Sequence, residues 1–175
     1  METPLTYEQK TVAIGAASGV LTMVAAIAGI SLISADTSAL TDVAGRLAYA
    51  LKANILAAIP LMIGTITVAN NRFLSEAIDP TLHKEDQATR VNGRVLDNTL
   101  QQYVLFVIGT LALSVSLPAS QLKVIAAATI VFIVARFAFW IGYRIHPLYR
   151  AFGMAATMYF NIGILAWAGW NILRG

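Results

Sequence analysis

The chain has no cysteine. Disulfides, thiolate metal sites and catalysis by a protein thiol are therefore excluded, and any thiol chemistry has to arrive with a substrate. Charge is scarce as well. Only 12% of the 175 residues are Asp, Glu, Lys or Arg, about half the share a soluble domain carries. Histidine occurs twice, at His83 and His146, each isolated in a loop, so no metal centre is expected. The sequence holds no internal repeat, phosphate-binding Walker motif or hydrolase elbow. The net charge of +3 does not point to nucleic acid, because the basic residues sit at the ends of apolar runs, as a positive-inside bias places them.

What the chain has in quantity is hydrocarbon. Hydrophobic residues make up 58% of it, with a mean hydropathy of +0.70, and they come in runs that no soluble core helix needs. The length suits a single domain. Five spans are expected, at about 11–33, 47–69, 95–117, 122–143 and 151–173. The first apolar run, Thr11–Ile33, exceeds the core of a signal peptide and is read as a retained helix. Its Gly15, Gly19, Ala25, Ala26 and Gly29 offer small surfaces for close helix packing. Asp36 or Thr41 is available to cap the second span, which Pro60 should kink. The apolar part of the third span, Tyr103–Leu117, is too short to cross. The helix must start near Val95, which carries Asn98, Gln101 and Gln102 to membrane depth. Pro118 ends it. The fourth span holds Arg136 in an otherwise apolar run, and Trp167 and Trp170 in the fifth fit an interfacial belt.

Loop charge sets the orientation. With the N-terminus cytoplasmic, that side receives Lys10, Arg72, Lys84, Arg90, Arg94, Arg144 and Arg150, against Arg46, Lys52, Lys123 and Arg174 opposite. The expectation is N-in and C-out. The membrane is read as a bacterial inner membrane, with the endoplasmic reticulum as the alternative.

Polar groups in lipid are costly unless partnered, so they mark interiors or sites. Arg94, Asn98 and Gln101 follow i, i+4, i+7 and share one helix face, flanked by Gln102. Arg136, Phe139, Trp140 and Tyr143 form a second stripe, and Arg150 lies one short loop beyond. Taken singly, these residues read as helix-to-helix glue or ordinary interfacial arginines, and Arg136 could snorkel or pair with Asp97. Taken together, they suggest an anion site at the membrane surface, because guanidinium groups grip carboxylates bidentately.

At these residues the chain resembles the MAPEG family, the membrane-associated proteins in eicosanoid and glutathione metabolism. The first family signature, an arginine followed by Asn-x-x-Glu at the opening of a membrane helix, reads here Arg94, Asn98 and Gln101. The second, Arg-x-x-Tyr-x-x-Gly-Tyr with an arginine seven residues on, reads Arg136, Phe139, Gly142, Tyr143 and Arg150. Arg72 stands roughly where the family often keeps a further arginine. The similarity covers about Leu47 to Leu173. It implies an all-α bundle with a four-helix core, assembled as a homotrimer, to which this chain adds one N-terminal transmembrane helix. It also implies glutathione as co-substrate, with Arg72, Arg94, Asn98, Gln101, Arg136 and Tyr143 binding it. Arg150 would stabilise its thiolate for attack on a lipophilic small molecule dissolved in the surrounding lipid.

Three departures accompany the match. Gln101 replaces an acid that could bind the glutathione amino group, Phe139 replaces a tyrosine, and the first span is additional. A glutathione transferase or peroxidase, a non-catalytic structural, regulatory or lipid-binding member, and a small transporter therefore all stay open. The transporter is least favoured, because no acidic relay lies inside the spans.

Overall fold

A computed structural model describes residues 5–82 and 84–174; His83 lies outside them. Among the described residues six α-helices carry the chain and there is no strand. They are α1 (Tyr7–Ile33), α2 (Val43–Ala57), α3 (Ile59–Phe73), α4 (Gln87–Ser116), α5 (Lys123–Ile145) and α6 (Ala151–Arg174). Since α2 and α3 together make one span, five segments are long and apolar enough to cross a membrane.

Pro60 produces the break inside the second span. It has no N–H to donate and its ring crowds the carbonyl four residues back. The ladder therefore stops at Ala57, Ala58 donates its N–H to the Asn54 carbonyl, and a new helix opens with Pro60 in its first turn. The cap of α2 is Asp42, whose Oδ1 accepts from Gly45 N at 2.7 Å. Neither Asp36 nor Thr41 fills that place. Asp36 instead accepts from the backbone and hydroxyl of Ser38 within the loop.

The third span starts earlier than its apolar pattern suggests. Asp86 accepts from Thr89 N at 2.8 Å and opens α4 at Gln87, two turns before Val95. With 30 residues, α4 is about 45 Å long against a hydrocarbon layer of about 30 Å. It is therefore longer than the hydrocarbon layer is thick, and its polar first turns are the part that need not enter it.

Between helices in lipid, packing and hydrogen bonds replace the hydrophobic drive. Phe106 lies at the centre, its ring 4.5 Å from Phe132 and 6.1 Å from Phe160. Ala50, Ala53, Ala57, Ala128, Ala135 and Ala156 are all buried and let the backbones approach. Two amides bind the helices deep inside. Asn161 Nδ2 donates to both the backbone and side-chain oxygens of Gln102, and Asn54 Oδ1 accepts from the Thr110 hydroxyl at 2.9 Å. At the end opposite the site, the Thr37 hydroxyl donates to the Ala119 carbonyl and accepts from Lys123 N. Of the small residues of α1, Gly15 and Gly19 make close packing contacts, whereas Ala25 and Gly29 are exposed and Gly29 faces open space. Gly15 lies against Ala151 and Phe152, and Gly19 against the Phe152 backbone. No helix touches α1 more extensively than α6 does.

Candidate functional site

Four helices (α1, α4, α5 and α6) and one turn meet at the end of the bundle where α4 begins. The turn, Pro147–Arg150, leads from α5 into α6, and His146 caps it by accepting from Leu148 N through Nδ1. Gly142 is what lets this turn close onto α5. A Cβ there would stand 2.6 Å from the Tyr149 carbonyl oxygen and 3.4 Å from Arg150 N, so a side chain would push the turn away.

The resulting cleft has a volume of about 420 Å³ and is lined by Arg94, Asn98, Tyr143 and Arg150, with Phe139 beside them. Val12 of α1, Leu148 and Met154 supply apolar wall. The Arg150 guanidinium lies 4.8 Å from the centre of the Tyr143 ring, a cation–π stack that fixes its direction. Among the described residues, every polar side chain lining the cleft carries a hydrogen-bond donor and none is a carboxylate.

Arg136 does not line the cleft. It is 1% exposed, and its Nη2 donates to Asn98 Oδ1 and Thr99 Oγ1, both at 2.9 Å. Its Nη1 reaches Thr157 Oγ1 at 3.1 Å, and its guanidinium carbon lies 4.2 Å from the Phe139 ring centre. It neither snorkels nor pairs with Asp97, which is exposed. Among the described residues no carboxylate lies within ion-pair distance of this buried cation. Arg136 thus meets the cleft through Asn98. With Oδ1 engaged by a guanidinium, the amide nitrogen of Asn98 is the group left for a ligand.

Two other residues of the expected site stand apart from it within one chain. Arg72 is tied to Glu85 by an ion pair at 2.7 Å. Gln101 is exposed and belongs to no part of the cleft wall. Several partners were not singled out from the sequence. Thr99 and Thr157 hold Arg136, Asn161 fixes Gln102, and Asn92 accepts from the Trp140 indole at 2.9 Å. Thr99 sits beside Asn98, whereas Thr157 and Asn161 are lone polar residues in a charge-free run with no sequence signal of their role.

Comparison with known proteins adds to this geometry. The model of the MAPEG family matches residues 47–170. The chain belongs to the MAPEG family. The match takes in α3 to α5 entire and most of α2 and α6, and leaves out α1. Transmembrane protein 79 of Mus musculus is 23% identical over 137 residues, covering 78% of this chain and 34% of that protein. Transmembrane protein 79 of Bos taurus is 22% identical over 132 residues, covering 75% and 33%. The chain thus spans about a third of the length of these relatives. No solved structure matches. Of the MAPEG signature positions, Arg94, Asn98, Tyr143 and Arg150 converge on one cleft, Phe139 forms part of its wall, and Arg136 stands behind.

Proposed function

We propose that this MAPEG protein binds glutathione in the cleft between α4, α5 and the Pro147–Arg150 turn, and presents its sulfur to a lipophilic electrophile or hydroperoxide. One observation carries the reading. Four signature positions, drawn from α4, α5 and the turn, line a single cleft whose polar side chains include two guanidinium groups and no carboxylate. Its size falls within the usual range for small-ligand sites. Arg94 and the Asn98 amide take carboxylate and backbone oxygens of the tripeptide, and Arg150 faces the thiol. A free thiol with pKa near 8.5 is mostly protonated at neutral pH, and an adjacent guanidinium lowers that value. The apolar wall of Leu148, Met154 and Val12 offers a route for a co-substrate dissolved in lipid. The family resemblance further supports assembly as a homotrimer, and loop charge supports a cytoplasmic N-terminus with the C-terminus outside.

A second reading, a non-catalytic member, is favoured by Gln101, which stands where the signature has an acid and is turned away from the cleft. The two readings separate in one experiment. Wild-type protein in detergent should bind glutathione saturably and show the ultraviolet band of a thiolate. Arg150→Ala should lose the band, and the Arg94→Ala/Arg150→Ala double variant should lose binding. Folded wild-type protein that binds no glutathione selects the non-catalytic reading.

A further inference from the structure

The cleft leaves one part of glutathione unmatched. Its polar lining offers two guanidinium groups, a phenol and an amide, so an ammonium there meets like charge and no acceptor anion. In the family signature that place is taken by a glutamate. Gln101 holds the position here, exposed and outside the cleft wall.

A second hollow adjoins the first. Its volume is about 630 Å³, and Asp86, Gln87, Val91, Tyr143, Arg144 and Pro147 line it. Tyr143 and Pro147 belong to both, so they form a shared wall. One stripe of α4 runs beneath the pair. Gln87 and Val91 underlie the second hollow and Arg94 and Asn98 the first, at i, i+4, i+7 and i+11, which is a single helix face.

Asp86 and Arg144 line this hollow without bonding each other. Among the described residues neither makes an ion pair. Asp86 spends Oδ1 on the backbone cap of α4, so among the described residues a ligand at Oδ2 has only the Thr89 hydroxyl as a neighbouring donor. Hydrogen bonds from the side chain and backbone of Thr89, with Arg90 nearby, hold its carboxyl below the usual range. It is therefore charged at any physiological pH.

We propose that the second hollow receives the α-amino-acid head of the tripeptide, Asp86 taking the ammonium and Arg144 the carboxylate, while cysteine and glycine extend past Tyr143 into the cleft. This assignment rests on the glutathione reading and adds the determinant of zwitterion selectivity. The spacing suits it. Eight residues of α4 separate Asp86 from Arg94, about 12 Å along the axis, and three extended residues reach about 10 Å. The acid assigned to the ammonium here is the cap of α4, where the family signature has one within the membrane helix.

The test compares two ligands on detergent-purified protein by equilibrium binding. One is glutathione. The other is glutaryl-cysteinylglycine, which keeps both carboxylates and the thiol and lacks only the amine. Wild type should prefer glutathione by about tenfold or more, since a hydrogen bond to a charged group carries that much. Asp86→Asn keeps the cap, because asparagine caps helices as well as aspartate. It should bind both ligands equally, with the affinity for the analogue unchanged. Arg144→Gln should weaken both ligands by a similar factor. Equal binding of the two by wild type overturns the amino-head assignment and leaves the glutathione reading intact. Absence of binding by either overturns both.

Discussion

Arg136 is the residue whose replacement best separates a binding role from a packing role. It is buried, it donates to three neutral acceptors, and it has no carboxylate partner among the described residues. Taking an ion out of water costs several kcal/mol, and exchanging buried charges for an apolar side chain of similar size is often neutral or stabilising. Arg136→Met should therefore change unfolding stability by no more than about 2 kcal/mol, the lost charged hydrogen bonds being offset by the relieved desolvation. Ligand affinity should respond differently. An anion bonded to the Asn98 amide nitrogen stands one amide group beyond the 2.9 Å contact between Asn98 and Arg136, or roughly 7–8 Å from the guanidinium. At an effective dielectric of about 20, that distance corresponds to about 2 kcal/mol, roughly a 30-fold change in Kd. Releasing the amide from its fixed orientation adds to the loss. Thermal unfolding in detergent and glutathione titration on the same preparation measure both quantities. A variant that unfolds far more easily yet binds with wild-type affinity would refute the reasoning and make Arg136 helix glue.

Gly142→Ala should act on the turn that carries Arg150. Its Cβ would lie 2.6 Å from the Tyr149 carbonyl, so the turn must shift, at a cost of about 1–3 kcal/mol. The expected signature is a larger loss of the thiolate band than of total binding. Gly19→Leu should detach α1 from the Phe152 backbone and lower stability by a similar amount, read as a reduced Tm. An unchanged Tm would show that α1 is not docked on α6. Asp86 has a lowered carboxyl pKa, so its contribution to stability is complete above the ordinary value of about 4 and is lost as pH falls through the depressed one. Preference for glutathione over its deaminated analogue should accordingly be flat from about pH 5 to 7.

The membrane class was legible because apolar runs and charged ends are properties of the chain itself. Pro60 announced its break for the same local reason. Which residues share a wall was legible where helical periodicity governs, as at Arg94 and Asn98, which line one cleft. Gln101 has the right angle around α4 yet stands outside the cleft within one chain. The wall of the cleft ends at the level of Asn98, Phe139 and Met154, and Gln101 lies one turn deeper on the exposed surface. Periodicity gives direction around an axis and says little about depth. The stripe through Arg136 and Tyr143 divides in a comparable way, one residue in the core and the other in the wall. Thr157 and Asn161 were silent because what they bond depends on the register between helices, which no single run of residues encodes. Asp86 was also missed as a cap, because the apolar pattern placed the start of α4 two turns late.

The position of α1 bears on how the site is kept in shape. This helix lies outside the family match, so it could have packed anywhere on the bundle. It rests instead along the first turns of α6, with Gly15 against Ala151 and Phe152, immediately after Arg150. It also touches the Pro147–Arg150 turn, and Val12 reaches the cleft itself. The turn is thus held from two directions, by Gly142 of α5 on one side and by α1 on the other. A long arginine on a turn next to lipid would otherwise lose its aim to side-chain entropy. Stacking on Tyr143 and a buttressed backbone restrict it before any ligand arrives. The added span is therefore coupled to the residue on which thiolate chemistry would depend. Substitutions that loosen the α1–α6 seam should be felt at Arg150 before they are felt in the bundle core.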